Sequence, residues 1–430
     1  SFTFEATGVG SDTVIARIID LVKQAQSSRP PIQRLADRIA AVFVPIIFSI
    51  ASLTFIAWWF TTADLSVAMI NAVAVLIISC PCALGLATPT AILVGTGKGA
   101  ELGLLIKSGE VIETAHQIRT VVLDKTGTLT HGRPVVTDII PAVDGQSEEV
   151  LYYAAAVERN SEHPIGQAIT REAERRKVTV KDPQAFVAVA GGGIRGNVDG
   201  KEVRLGTERF LSAEGFAFDA TEADSLRSEG KTAILVAVDS VHVGTIAVAD
   251  EIKAGAAEVI RDLKRAGMEV AMLTGDSLLT AEAVGRSVGL DLIVAEVLPE
   301  DKSNRIVALQ QDRGVVAMVG DGINDAPALA QSDVGIAIGT GTDVAIESAD
   351  VALMSGDLEG IVALIRLSRR TMRIIRQNLF WAFAYNLVLV PVAALGLLTP
   401  WGGPMLAAAA MASSSVTVVS NALRLKRFSP

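Results

Sequence analysis

The chain of 430 residues has two cysteines, four histidines and an aromatic content of only 5%. Both cysteines fall in one hexapeptide, Ser79-Cys80-Pro81-Cys82-Ala83-Leu84. No disulfide framework can therefore hold the fold, and the i, i+2 spacing argues against a bridge between the two. Positive charge is also short. Lys and Arg number 38 against 47 Asp and Glu, a net charge of −9, which gives a general nucleic-acid role no support. No internal repeat, low-complexity tract or signal peptide is recognisable. The opening "SFTFEATGVG" lacks an initiator Met and has the character of a domain interior, so a fragment is expected.

Apolar residues are in excess instead, at 50% of the chain with a mean hydropathy of +0.43. They are unevenly spread. Ile39 to Ala63, Leu65 to Gly97 and Gln377 to Leu423 hold no charged residue, and "LTPWGGP" divides the last run in two. At about 20 residues per crossing, these runs predict four membrane helices in two hairpins. Arg366, Arg369, Arg370, Arg373 and Arg376 precede the third span, Arg424 to Arg427 follow the fourth, and Lys98 and Lys107 follow the second. The positive-inside tendency then puts the charged middle of the chain in the cytoplasm.

That middle alternates strands with helices. "TVVLDKTGTLT", "EVAMLTGD" and "GVVAMVGDGIND" each run from an apolar strand into a polar loop, with helical stretches such as "AGAAEVIRDLKRAG" between them. The pattern predicts a parallel sheet, whose carboxyl edge is where such sheets bind ligands. Gly132 to Val248, with Gly-rich turns and short strands, reads as a separate α+β domain inserted after the first strand.

A carboxylate at a strand tip, followed by a Gly turn, can attack a phosphoryl group and form an acyl phosphate. Asp124 is the candidate nucleophile, with Lys125 and Thr126 beside it. Thr274, Gly275 and Asp276 offer a hydroxyl and amides. Lys302 is a candidate counter-charge, and Asp321 and Asp325 are oxygen ligands suited to Mg²⁺. Any one Asp-Gly or Thr-Gly pair is as readily a plain turn. Three such loops in this order, each after an apolar strand, are far more specific.

In the membrane runs, Pro81 breaks its helix between two thiols, a donor pair suited to a soft ion such as Cu(I). The alternative is two small residues packed at a kink. Asn378 and Tyr385, with Asn386 adjacent, share one helix face, as do Met411, Ser414 and Ser415. Polar groups there point inward for a ligand or for helix–helix hydrogen bonds.

These motifs together resemble the heavy-metal P-type ATPases, and among them the copper(I) branch. The resemblance covers essentially the whole chain. It implies α-helical membrane hairpins and a haloacid-dehalogenase-like α/β (Rossmann-like) phosphorylation domain with an inserted α+β nucleotide-binding domain. It implies ATP as phosphoryl donor to Asp124, Mg²⁺ held by Asp124, Thr126 and Asp321, and a site completed by Lys125, Thr274, Gly275, Asp276, Lys302, Asn324 and Asp325. His163 of "SEHP" would contact adenine, with Glu158, Gly191, Gly193, Ile194 and Gly206 around it. Thr207 departs from the family, which has Asn there. Cys80, Cys82, Tyr385, Asn386, Met411 and Ser415 would hold transported Cu(I). The zinc and cadmium branch typically carries a Lys and an Asp in its last spans, and neither occurs between Gln377 and Leu423.

The implied division is 1–35, the tail of an actuator domain; 36–105, a helix pair; 106–131 and 248–372, the phosphorylation domain; 132–247, the nucleotide domain; and 373–430, a second helix pair. The expected setting is a multi-pass monomer in the cell (inner) membrane, its lipid bilayer around it and a cytosolic copper chaperone as a possible partner. The family's Thr-Gly-Glu loop does not occur here, so the chain alone is expected to phosphorylate itself but not to pump. A zinc or cadmium transporter, a phosphatase of the haloacid dehalogenase superfamily and a non-catalytic metal-binding membrane protein are the other readings.

Overall fold

A computed structural model describes residues 30–143, 145–159, 161, 163–189, 192–216, 220–321, 325–339 and 348–430. It contains two compact units: the described residues of Ser1–Ile118, Asp333–Thr340 and Ile346–Pro430, and those of Arg119–Ser332 and Gly341–Ala345. The first expected segment, 1–35, lies almost wholly outside the described residues.

In the first unit the apolar runs form five long helices: α1 (Pro31–Thr62), α2 (Leu65–Ile78), α3 (Cys82–Glu101), α4 (Glu359–Ala394) and α5 (Gly403–Leu423). With α2 and α3 counted as one broken segment, four stretches are long and apolar enough to cross a membrane. Phe48, Phe60, Leu387, Met405 and Val416 are each more than 60% exposed, the surface expected of helices solvated by lipid. The single charge between the first two runs, Asp64, caps α2 by accepting from the Ser66 amide at 2.8 Å. At 36 residues, α4 is about 54 Å long, against a hydrocarbon core of about 30 Å. Its arginine-bearing first half therefore extends beyond the lipid. Gly95 lets α3 approach α4: a Cβ there would stand 2.9 Å from Thr371 Oγ1. Three short strands complete the unit. Leu104–Ile106 pairs antiparallel with Val351–Leu353, which is parallel to Val334–Ile338.

In the second unit Val316–Gly320, Thr120–Asp124, Glu269–Leu273 and Leu292–Val294 lie side by side in that order, all parallel. Apart from Asp124 and Glu269 at strand ends, their residues are β-branched or otherwise apolar, and the first three strands are almost wholly buried, as covering on both faces requires. Register decides the function. Leu123 lies opposite Val319 on one side and Met272 on the other. The three strands therefore end together, and Asp124, Thr274 and Asp321 emerge at one edge.

A six-stranded antiparallel sheet follows the order Thr130–Pro141, Val241–Ile252, Thr232–Val238, Lys201–Gly206, Gly193–Val198, Gln184–Val189. The helices Ser147–Glu158 and Pro164–Arg175 supply Leu151, Ala155 and Ile169 to the core, which Val203, Val236 and Ile246 complete from the sheet.

Candidate functional site

Asp124 ends its strand with only 4% of its surface exposed. Lys302 Nζ donates to Asp124 Oδ1 and to Asp325 Oδ1, both at 2.6 Å. Carboxylate oxygens of Asp124, Asp321 and Asp325 all lie within 4.8 Å of one another. One ammonium thus faces three carboxyl groups. Burial first, and then the Asp325 charge, push Asp124 up to about 7 against the pull of Lys302. Asp321 is raised by burial and by Asp325 in the same way. Burial works against the Lys302 charge, but Asp124 and Asp325 outweigh it and hold the ammonium above its usual range.

The loop geometry follows from small residues. Gly127 sits at φ 74°, and a Cβ there would stand 1.7 Å from Asp321 Oδ2, so no side chain fits. Lys253 Nζ donates to the Gly127 carbonyl at 2.9 Å. Asp250 accepts from Thr130 Oγ1 at 2.5 Å and from the Gly132 and Arg133 amides at 3.1 Å each. Sequence reasoning missed Asp250, which lies inside the strand Val241–Ile252, and Lys253, which follows it.

The other expected residues are placed as follows. Lys125 pairs with Asp276 at 2.5 Å. Thr274 is buried, and its Oγ1 accepts from the Asp276 amide at 3.1 Å. Thr126 is exposed. Asn324 and Gly191 lie outside the described residues. The donors of Asp124, Asp321 and Asp325 are all hard oxygens with negative charge in excess, so they fit a divalent cation such as Mg²⁺.

Glu158, His163, Gly193, Ile194 and Gly206 line one cavity of about 380 Å³. Glu158 is buried with its Oε2 lacking a partner among the described residues. Burial raises its pKa, opposed by a hydrogen bond from Ser161. His163 starts the helix Pro164–Arg175, its Nδ1 accepting from the Ile165 amide at 3.3 Å. Gly193 and Gly206 face each other in register. A Cβ on Gly193 would lie 2.3 Å from the Leu205 carbonyl, and one on Gly206 would lie 2.6 Å from the Gly192 carbonyl. Thr207, the departure from the family pattern, caps the next helix by accepting from the Phe210 amide at 3.3 Å. A second cleft, of about 600 Å³, shares Thr207 and Thr232 with this cavity and reaches Gly275 and Asp276.

In the membrane unit, Ser79 to Pro81 separate α2 from α3. Contrary to the spacing argument, Cys80 and Cys82 are joined in a disulfide, with Cα atoms 5.3 Å apart. The argument assumed one continuous helix, whereas the helix breaks over Ser79 to Pro81 before restarting at Cys82, and both side chains turn to one side of Pro81. In the reduced state the two thiols would remain neighbours. Two apolar clusters bracket them. Ile78 packs with Val390 and Met411 on one side, and Ala83 and Leu84 pack with Ala382 and Val418 on the other. The residues between these clusters on α4 and α5 therefore share the level of the cysteines. They include Asn386 and Ser414, both buried, whose Oδ1 and Oγ lack partners among the described residues. Ser415 is only half-buried, and the Tyr385 ring lies against exposed Trp381, centroids 6.3 Å apart. Asn378 donates to the Ala87 carbonyl at 3.2 Å and accepts from Asn421 at 2.9 Å, a helix–helix tie.

The sequence model of haloacid dehalogenase-like hydrolases matches residues 118–333, the stretch that carries the buried carboxylate–lysine cluster at the edge of the parallel sheet. "Probable copper-transporting ATPase PacS" of Synechococcus elongatus is 52% identical over 437 residues, which cover 100% of this chain and 58% of that protein. "Probable copper-exporting P-type ATPase V" of Mycobacterium tuberculosis is 53% identical, covering 99% of this chain and 55% of that one. The chain thus spans a little over half the length of these curated relatives. The crystal structure of a zinc-transporting PIB-type ATPase in its E2.Pi state superposes with a TM-score of 0.77 at 38% identity, covering 97% of this chain and 68% of that one. The chain belongs to the PIB-type, heavy-metal ATPases.

Proposed function

We propose that the chain is the phosphorylation, nucleotide-binding and cysteine-bearing membrane part of an ATP-driven Cu(I) exporter that also accepts Ag(I). ATP would lie with its base in the Glu158–His163–Gly206 cavity and its phosphates along the cleft to Gly275 and Asp276. Asp124 Oδ attacks the γ-phosphorus, the bond to the β-phosphate oxygen breaks, and ADP leaves with an aspartyl phosphate behind. Lys302 offsets the charge on the transferred group. Asp124, Thr126, Asp321 and Asp325 would hold Mg²⁺, which supplies further neutralisation when bound. Later attack by water returns the carboxylate and phosphate. Copper is the cargo, held by reduced Cys80 and Cys82 with Asn386, Met411 and a serine of α5. A cytosolic chaperone delivers it, and the membrane is the cell (inner) membrane with the soluble unit in the cytoplasm. Moving a cation outward costs about 2.3 kcal/mol per 100 mV, which the phosphoryl cycle offsets.

The observation that carries this reading is the convergence of Asp124, Lys302, Asp321 and Asp325, in a chain that also sets two sulfurs at a break in an apolar helix. A Zn(II) exporter is the second reading, favoured by the zinc-transporting neighbour. The chain's soft donor pair, and the lack of any acidic or basic residue from Gln377 to Leu423, favour copper. The test is labelling with γ-³²P-ATP. Wild type should form a hydroxylamine-sensitive acyl phosphate, stimulated by Cu(I) over Zn(II), and Asp124→Asn should form none. Labelling that persists in the variant defeats the assignment, and equal stimulation by Zn(II) defeats the copper reading.

A further inference from the structure

Where α4 leaves the apolar zone, a cavity of about 540 Å³ is lined by Arg369, Arg373, Arg376, His116, Phe380 and Trp381 among others. Its charge is one-sided. His116 Nδ1 meets the Glu113 carbonyl, and its Nε2 meets Arg376 at 3.2 Å. Among the described residues, no carboxylate is paired with Arg373 or Arg376. Its depth is equally telling. Arg376 is the last charge before the uncharged run that spans the bilayer. One turn further, Phe380 is 65% exposed and Trp381 46% exposed, in the position of the aromatic belt at a lipid–water boundary. A second pocket, lined by Arg370, Arg424 and Arg427, shows the basic character continuing to α5.

We propose that this cavity holds the phosphate of an anionic phospholipid from the cytoplasmic leaflet, its acyl chains lying against Phe380 and Trp381. Guanidinium forks at Arg373 and Arg376 suit a phosphodiester. A soluble anion would account for the arginines but not for the exposed aromatic floor. The site involves neither Asp124 nor the cysteines, so it stands or falls apart from the transport reading.

Trp381 reports occupancy directly. The other three tryptophans, Trp58, Trp59 and Trp401, lie at the opposite helix ends, in the last turn of α1 and just before α5. The full chain is reconstituted in phosphatidylcholine vesicles containing equal fractions of dibrominated phosphatidylglycerol or dibrominated phosphatidylcholine. Quenching should be stronger with the anionic quencher, and Trp381→Phe should remove the difference. Near an anionic surface each arginine contributes about fivefold, so Arg373→Gln with Arg376→Gln should lower the preference roughly thirtyfold. Arg373→Lys with Arg376→Lys, which keeps both charges, should retain most of it. Equal quenching by the two lipids, or a preference unchanged in the glutamine variant, overturns the proposal. Abolition of the preference by inorganic phosphate would assign the cavity to a soluble anion and overturn it too.

Discussion

Replacing Asp124 by Asn should stabilise the metal-free chain while removing its chemistry, and the gain should depend on pH. In the unfolded chain the carboxyl group ionises near 3.8, and in the fold burial and Asp325 push it up to about 7. The folded state therefore holds this proton more tightly than the unfolded state does. Below about pH 3.8 the group is neutral in both states and carries no penalty. As pH rises toward 7 the folded state must ionise a carboxyl that its surroundings keep protonated, and wild-type stability falls. Above 7 the cost is complete: about three pKa units at 1.36 kcal/mol each, or roughly 4 kcal/mol. Asn bears no charge at any pH and leaves Lys302 its bond to Asp325. The variant's advantage should grow from near zero at about pH 4 to roughly 4 kcal/mol at about pH 8. Pulse proteolysis in urea, on the full chain in detergent with EDTA, measures it. Mg²⁺ at a hundred times its dissociation constant should return about 2.7 kcal/mol to wild type and narrow the gap. A gap that does not change with pH, or a variant less stable than wild type at pH 8, would refute the idea that the cluster stores unfavourable charge for a cation and a phosphoryl group to relieve.

Lys302→Met strips the internal cation from Asp124 and Asp325. It should destabilise the fold by about 3–5 kcal/mol and cut acyl-phosphate formation by roughly a hundredfold or more, as rapid-quench labelling would show. Gly206→Ala drives a methyl into the Gly192 carbonyl at 2.6 Å; it should cost about 1–3 kcal/mol and weaken ATP binding more than tenfold by calorimetry. Ser414→Ala should reduce copper-stimulated ATP hydrolysis more than Ser415→Ala does, because Ser414 is the fully buried member of the pair.

The convergence of the three strand ends was legible in the sequence because strand ends are local. An apolar run ending in Asp or Thr-Gly-Asp fixes where a side chain leaves a parallel sheet, and hydrogen-bond register carries three such ends to one level. Lys302 was legible as a candidate counter-charge, but its seat between Asp124 and Asp325 was not. It reaches Asp124 from the start of a helix 178 residues away in sequence, a distance that no periodicity encodes. Asp250 and Lys253 escaped for a related reason. They act on the backbone of the Gly127 loop across a gap of about 120 residues, where neither spacing nor composition gives a signal.

The membrane helices divide differently. Uncharged runs gave their existence and number, since lipid tolerates little else, but not their rotation. Met411, Ser414 and Ser415 all sit within one turn of α5, and 3.6-residue geometry allows either serine to face inward. Packing decides it: Met411 and Val418 both face the other helices, and of the two serines between them Ser414 is fully buried whereas Ser415 is only half-buried. Pro81 works in the opposite sense. In a continuous helix, residues two apart point to nearly opposite sides, so only the break at Pro81, legible in the sequence, lets Cys80 and Cys82 act as a pair. A residue with no amide to donate ends the helical geometry there, and the chain turns both sulfurs to one side. The copper site proposed for this chain therefore needs the break at Pro81 as well as the sulfurs. Pro81→Ala should heal the helix and separate the pair, leaving folding intact and removing copper stimulation. Stimulation that survives Pro81→Ala would show that the kink does not organise the ligands.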